Sequence, residues 1–152
     1  MTPDNAKLFG QIEVKTNELI ARLKDRQLAA QGFKAVYLPN FVPAQKAKYI
    51  FIAMEPSLRW ANCDEDTAKE MIRNGFLNFM YSGEDFCLHY SIANFLGTPY
   101  YVTDTFKAAM ECKDAADIRE YVYPECIPLL KEEINAVGSP DCLVFFLGNA
   151  PP

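Results

Sequence analysis

The chain has 152 residues, of which 50% are hydrophobic and 23% are charged, and this composition fits one globular domain and excludes a disordered chain. Its net charge of −5 excludes the broadly basic surface that duplex-binding proteins use. Residues 1–5 lack the basic and apolar segments of a signal peptide, so we expect none, and no run of roughly 20 apolar residues predicts a membrane span. The five cysteines are scattered. We therefore expect a reduced, cytoplasmic protein with no membrane partner.

The apolar pattern predicts helices and strands that alternate along the chain. Helical spacing predicts a first helix over residues 5–31, which ends at Gly32. Two closely spaced prolines predict a loop over residues 37–43. The apolar run at residues 48–54 predicts a strand that is buried on both faces, as strands of parallel sheets are.

The second half of the chain continues this alternation. Asn62, followed by Glu65, predicts the start of a second helix that runs to Gly75. The remaining predictions are a helix over residues 84–95, a strand over 99–103, two helical pieces over 114–123 and 124–137 that Pro124 separates, and a strand over 142–147. Strands joined by helical crossovers predict a single α/β domain with a small central parallel sheet.

Polar or small residues follow each of the three predicted strands. In an open parallel sheet, ligands bind beyond the carboxyl ends of the strands. Glu55, Asp104 and Gly148 each stand at such an end. We therefore expect these three residues to border one common cleft.

Three segments, in chain order, are similar to motifs of one known family. Residues 52–57 (Ile-Ala-Met-Glu-Pro-Ser) resemble a strand that ends in a Gly-Met-Asn-Pro-Gly or Gly-Glu-Ala-Pro-Gly turn. Residues 101–107 (Tyr-Val-Thr-Asp-Thr-Phe-Lys) resemble a strand that ends in Thr-Asn-Val-Val-Lys, and residues 126–150 resemble a Cys-x-Pro-x-Leu helix followed by a Leu-Gly-x-x-Ala strand. Over roughly residues 48–150 the chain resembles the uracil-DNA glycosylase superfamily, in its bacterial iron–sulfur and single-strand-selective branches.

The resemblance implies a three-layer αβα fold, here expected to lack the last strand and loop of the family. It also implies hydrolysis of the N-glycosidic bond of a damaged base in DNA, which is the base-excision step of DNA repair. Such enzymes flip the nucleotide out of the helix and pass through an oxocarbenium-like transition state. DNA or another nucleobase-containing ligand is the implied partner.

Two other functions remain open. The first is a non-catalytic nucleobase- or nucleotide-binding domain of the same fold, which the acidic net charge and the altered motifs favour. The second is an unrelated flavodoxin-like domain, for which the sequence has no glycine-rich phosphate loop.

The resemblance also assigns roles to individual residues, each with a plainer alternative. Glu55 stands at the Asn position of the first motif, where a carboxylate can orient water and face positive charge; alternatively it is a solvated turn residue. Phe79 matches the family's base-stacking Phe, or is a core residue. Asp104 replaces the Asn that bonds the base and, when ionised, only accepts hydrogen bonds; alternatively it caps a loop. The remaining assignments are base contact for Met54 and phosphate contact for Ser57, Lys107 and Gly148, although an isolated Lys is more often solvated.

The cysteines and the single histidine bear on cofactors and catalysis. Cys112 and Cys126 resemble the second cysteine pair of the iron–sulfur branch, but no cysteine precedes Cys63, and two thiolates do not hold a four-iron cluster. We therefore expect no metal and no cofactor. His89 is expected to be structural, because the family's His belongs to a His-Pro-Ser loop that would lie beyond residue 152.

Overall fold

A computed structural model describes residues 3–26, 32–80, 82–111 and 115–148. Within these residues the chain forms four α-helices and five β-strands: α1 (Pro3–Asp25), β1 (Lys34–Tyr37), β2 (Ala47–Ala53), α2 (Glu65–Arg73), α3 (Gly83–Phe95), β3 (Tyr100–Asp104), β4 (Ala108–Glu111), α4 (Ala115–Val137) and β5 (Gly138–Phe146). None of these helices combines the length and the apolar character that crossing a membrane requires.

The central sheet has three parallel strands in the order β3-β2-β5. Phe51, in the middle of β2, is in register with Val102 of β3 and with Phe145 of β5. Each strand comes from one of the continuous apolar runs of the sequence, which suit a sheet covered on both faces. The predicted parallel sheet is confirmed.

Helices cover both faces of this sheet. Ile50, Ile52 and Tyr101 pack on one face against Leu130 and Val137 of α4. On the opposite face α3 packs through Ile92 against Phe51 and Val102, which are the intervening residues of the same strands. Successive side chains of a strand point to opposite faces, so the sequence alternation places a helix layer on each side. The fold is a three-layer α/β arrangement, as predicted.

A second sheet of two antiparallel strands, β1 and β4, was not predicted. Tyr37, which was assigned to a loop, is the last residue of β1 and is in register with Ala108. One face of this sheet packs on α1 and α4, and the other on α2 and the short 3-10 helix Leu58–Ala61. The sheet thereby fixes the segment that follows β2 against the core.

The second helix begins two residues later than predicted. Asp64 is its N-cap, and the carboxylate of this residue accepts hydrogen bonds from the backbone N–H groups of Asp66 and Thr67. Asn62 instead ends the preceding 3-10 helix in a left-handed conformation with φ of 53°. Asn tolerates this conformation better than most residues, which explains why it stands there. The prediction of Asn62 as the helix start was wrong.

The predicted break at Pro124 was also wrong, because α4 continues through Pro124 and Pro128. Both prolines are exposed and lie four residues apart, so the hydrogen bonds they remove are on one solvent-facing side. The opposite side of the helix is buried through Val122, Cys126 and Leu130. Tertiary packing therefore keeps the helix continuous where local preference would end it.

Three further boundaries can be compared with the predictions, and one lies outside the described residues. Helix α3 begins at Gly83, after Ser82, which forms a capping box with Asp85, close to the predicted start at residue 84. Helix α4 ends at Val137, as predicted, but β5 begins at Gly138, earlier than the predicted start at residue 142. Helix α1 is described to Asp25, so the predicted continuation over residues 27–31 lies outside the described residues.

Strand β5 is an edge of the central sheet and exposes large apolar side chains. Among the described residues its only strand neighbour is β2. Leu143 and Phe146 are 56% and 61% exposed, and Val144 and Phe145 between them are also exposed. Apolar surface is therefore open to solvent on both faces of this strand.

Candidate functional site

A cleft of about 800 Å³ opens beside β3, the other edge of the central sheet. Residues of the loop at 41–45, residues 78–80, Ser82, helix α3 and the start of β3 form its walls. We call it the aromatic cleft, after the aromatic side chains that dominate its lining: Phe41, Phe79, Phe86, His89 and Tyr100. Its volume falls within the range of small-molecule sites in proteins.

Phe79 has an unusual backbone conformation at the centre of this lining. Its φ is 59°, in the left-handed region that bulky residues rarely adopt. The backbone N–H of Phe79 donates to Oδ1 of Asn78, and its carbonyl oxygen lies 2.8 Å from Nε2 of His89. Phe79 is half-buried and packs against the cluster formed by Phe51, Ile92 and Val102, and it also lines the cleft. The core interpretation thus describes part of its environment, and the base-stacking role stays a prediction.

His89 connects the two sides of the aromatic cleft. Because a carbonyl can only accept, Nε2 of His89 donates to the Phe79 carbonyl. Nδ1 lies 2.9 Å from the hydroxyl oxygen of Tyr100. Burial raises the pKa of Tyr100, which favours the protonated hydroxyl. With the imidazole proton on Nε2, this hydroxyl donates a hydrogen bond to Nδ1. His89 therefore positions Phe79 relative to β3, in the structural role that the sequence predicted for it, and it also lines the cleft.

A closed network of hydrogen bonds and one ion pair lies next to Phe79 and includes Thr103 and Asp104, the last two residues of β3. The amide nitrogen of Asn78 donates to Asp104 and to Oδ1 of Asn40, and Asn40 donates to the hydroxyl of Thr103. Thr103 in turn donates to Glu133 on α4. Lys107 closes this network, because its ammonium group contacts both Glu133 and the backbone carbonyl of Asp104. Buried polar side chains that are bonded to one another in this way hold fixed orientations.

Lys107 and Glu133 form the buried charged part of this network. Nζ of Lys107 lies 2.8 Å from Oε2 of Glu133, so the two side chains form an ion pair, although the geometry is not that of a hydrogen bond. Nζ also donates a hydrogen bond to the backbone carbonyl of Asp104. The hydroxyl of Tyr101 donates to the other oxygen of Glu133 at 2.6 Å. The Lys107 side chain is 6% exposed. The phosphate contact assigned to Lys107 stays a prediction. The side chain is almost entirely buried, so its charge is not exposed to a phosphate in solution.

Asp104 lies directly behind the aromatic cleft and does not line it. The residue is 1% exposed, and burial raises the pKa of its carboxyl from 3.8 to about 7. The Lys107 ammonium and the hydrogen bond from Asn78 oppose this rise. Asp104 reaches the cleft only through Asn78, so the predicted base contact would be indirect in this arrangement.

Glu55 is bound by side chains of α4 and does not line the aromatic cleft. Arg119 donates from both Nε and Nη2 to its carboxylate, and the hydroxyl of Tyr123 donates to Oε2 at 3.0 Å. Its side chain is 9% exposed. A carboxylate that is bound in this way is not free to orient water, so the catalytic role remains a prediction.

The other predicted site residues are distributed around the same end of the sheet. Met54 follows β2, and its carbonyl accepts from the backbone N–H of Phe106. Ser57 caps the 3-10 helix by accepting from Arg59 N–H, so its hydroxyl is part of a structural cap. Gly148 is exposed and has φ of 88°. Of the seven residues assigned to the site, the structure brings Phe79 to the cleft and Asp104 behind it.

The cysteines show no ligand set within the described residues. Cys126 lies in the core, and burial raises the pKa of its thiol to about 12, which disfavours the thiolate that metals bind. Cys112 lies outside the described residues. No group of three or more possible metal ligands occurs in the part of the chain that the structure describes.

No protein-family model matches this chain, and no curated protein or solved structure shows detectable similarity to it. The resemblance to uracil-DNA glycosylases therefore stays a prediction from the sequence motifs.

Proposed function

We propose that this chain binds a nucleobase-containing ligand in the aromatic cleft. The observation that supports this most is Phe79, whose strained backbone is fixed from both sides by Asn78 and His89. A left-handed conformation costs a bulky residue of order 1–3 kcal/mol and persists where the surroundings enforce it, often at ligand sites. The constraint presents one aromatic ring in a defined orientation to the cleft.

The other walls suit a flat, largely apolar ligand. Phe41 and Phe86 are 59% and 70% exposed and both line the cleft. Exposed aromatic rings around a concavity favour stacking, which contributes about 1–3 kcal/mol per base in proteins that bind single strands. Uncharged polar groups at Gln45 and Thr98 can select the edge of such a ligand.

Phe79→Leu will weaken binding by roughly five- to hundredfold, because a stacking surface is lost. Leucine keeps a Cβ, so the backbone conformation at this position is strained to a similar extent. Calorimetric titration with free bases, nucleosides, nucleotides and a single-stranded oligonucleotide measures the affinity. Thermal unfolding of the variant shows whether packing under the ring has changed.

A second pair of variants separates the cleft from general effects on folding. Ala44 is exposed on the cleft wall, so Ala44→Trp fills the cavity without entering the core, whereas Ala21→Trp adds the same ring to an exposed face of α1. Only the first variant should lose binding. Equal affinity in both variants, or no binding of any of these compounds to the parent protein, would refute the proposed function.

A second candidate function is hydrolysis of the N-glycosidic bond, as in uracil-DNA glycosylases. The observation in its favour is that Glu55 lies two residues after β2, whose last residue, Ala53, is in register with Asp104 at the end of β3. The two carboxyl groups are close enough for Glu55 to raise the pKa of Asp104. This activity requires Arg119 to release Glu55 when substrate binds.

Cleavage of uracil-containing oligonucleotides, single- and double-stranded, tests this candidate. Glu55→Gln will lower excision by about a hundredfold or more, the size of an acid–base contribution. Asp104→Asn will keep or raise it, because an amide presents both a donor and an acceptor to the base. Equal losses in two folded variants would contradict this division of roles, and an inactive parent protein would remove the candidate.

A further inference from the structure

The segments that form the aromatic cleft contain no Lys or Arg. The sequence has none between Lys34 and Lys46, nor between Arg73 and Lys107. All the residues that line the cleft fall within these two stretches. Lys46, which follows Gln45 of the lining, donates to the carbonyl of Ala136, and Glu84 and Asp85 occupy the first turn of α3. An anionic group in the cleft would therefore meet no Lys or Arg among the lining residues.

Two polar side chains of the cleft, His89 and Asn78, are already bonded to the protein. Nε2 of His89 donates to Phe79, and Nδ1 faces the Tyr100 hydroxyl, so the imidazole has no N–H left for a phosphate. The amide nitrogen of Asn78 donates to Asn40 and to Asp104. These two side chains therefore add no anion-binding donors to the cleft.

Several cations of the described residues are paired elsewhere. Lys107 is bound to Glu133, Arg119 to Glu55 and Arg22 to Glu125. Moving a phosphate from water to a site without a paired charge is costly, and a mostly apolar lining increases the cost. Binding energy in this cleft must come from stacking and from neutral hydrogen bonds.

We propose that the aromatic cleft selects a free nucleobase or a nucleoside, a flat heterocycle without phosphate, and excludes the corresponding nucleotides. This inference rests on the proposed function and narrows its ligand class. The absence of Lys and Arg from the lining, the bonded state of His89 and Asn78, and the exposed aromatic walls all favour the same uncharged ligand.

The experiment compares adenosine, guanosine, cytidine and uridine with their 5′-monophosphates by calorimetric titration. The nucleoside that binds best will bind at least about tenfold more tightly than its monophosphate at low salt, because no Lys or Arg lines the cleft and Glu84 and Asp85 lie in the first turn of α3. The ratio of nucleoside affinity to monophosphate affinity will fall at high salt, where counter-ions screen the repulsion between the phosphate and the acidic side chains. The affinity of the nucleoside itself will change little with salt.

A single added cation tests the cause directly. Gln45 is exposed on the cleft wall, so Gln45→Lys places an ammonium group at the mouth, and Gln45→Met has a similar length without charge. The lysine variant will bind the monophosphate about fivefold more tightly than the parent does, the size of a solvent-exposed ion pair. The methionine variant will not, so the ratio of monophosphate affinity to nucleoside affinity will rise only in the lysine variant.

The outcomes separate this inference from the proposed function. Monophosphates that bind the parent protein as tightly as the nucleosides, or more tightly, would overturn the inference and leave a nucleotide-binding cleft. A parent protein that binds none of these compounds would overturn both. Equal gains from lysine and methionine at position 45 would show that charge does not control the selection.

Discussion

Replacing Lys107 with methionine will lower the free energy of unfolding by about 3–5 kcal/mol, the usual result of removing one partner of a buried ion pair. Glu133 is fully buried and also accepts hydrogen bonds from Tyr101 and Thr103. Without the ammonium group its carboxylate has no opposite charge nearby. Methionine is similar in length to the aliphatic part of the lysine side chain. The decrease in the free energy of unfolding therefore reflects the lost charge more than a change in side-chain volume.

The double variant Lys107→Met with Glu133→Gln is the matched control. Glutamine keeps an acceptor for Tyr101 and Thr103 and removes the uncompensated charge, so much of the lost stability will return. Urea denaturation of the parent, the single and the double variants measures the difference. A double variant less stable than the single one would show that Glu133 was not the source of the loss.

Replacing Asp104 with asparagine will stabilise the protein increasingly as pH rises, by about 2–4 kcal/mol near pH 8 relative to pH 4. Burial raises the pKa of Asp104 from 3.8 to about 7. Between these values the folded state holds a proton that the unfolded chain has lost. The parent protein therefore loses stability as pH rises through this window, and the asparagine variant does not share that loss.

The charges that face Asp104 all enter this expectation. Lys107 favours its ionised form, whereas Glu55 and Glu133 oppose it, and desolvation is the largest effect. The control is Asp66→Asn, because the side chain of Asp66 is 94% exposed. Unfolding curves across the pH range should diverge from the parent only for Asp104→Asn. Parallel pH profiles for the parent and this variant would show that the carboxyl titrates near its ordinary value.

The central sheet was predictable because its strands have an unambiguous pattern. Residues 48–54 and 142–147 are continuous apolar runs, and helical segments lie between them and the strand at residues 99–103. Such runs favour strands, and the helical crossovers between them make the strands parallel. In β2 the run is buried on both faces, through Ile50, Phe51 and Ile52. Global burial and local sequence favour the same structure in this part of the chain.

Strands β1 and β4 were missed because local sequence does not favour them. The strand at Ala108–Glu111 begins with two alanines, which have low strand propensity, and Lys34–Tyr37 is only four residues long. The two strands pair across more than sixty residues of chain. At Pro124 the opposite error arises, since the local signal for a helix end is outweighed by burial of the far side of α4.

The aromatic cleft was only partly predictable. Phe79 was selected from its motif position, but its partners Asn78, His89 and Tyr100 were not assigned to a site. His89 is ten residues from Phe79 and eleven from Tyr100, so neither contact falls at a helical or strand spacing that a sequence pattern could reveal. Sequence reasoning also placed the site beyond the carboxyl ends of the strands, whereas the cleft opens beside the edge of β3.

The exposed edge at β5 makes the central sheet able to accept one more strand. A strand laid beside β5 would satisfy its free backbone groups and cover Leu143 and Phe146 at the same time, so hydrogen bonding and apolar burial would favour the same step. A polypeptide that did so would bind the folded form alone and would stabilise it by mass action. In its presence, the thermal stability of this chain would depend on the concentration of that polypeptide as well as on the chain's own packing.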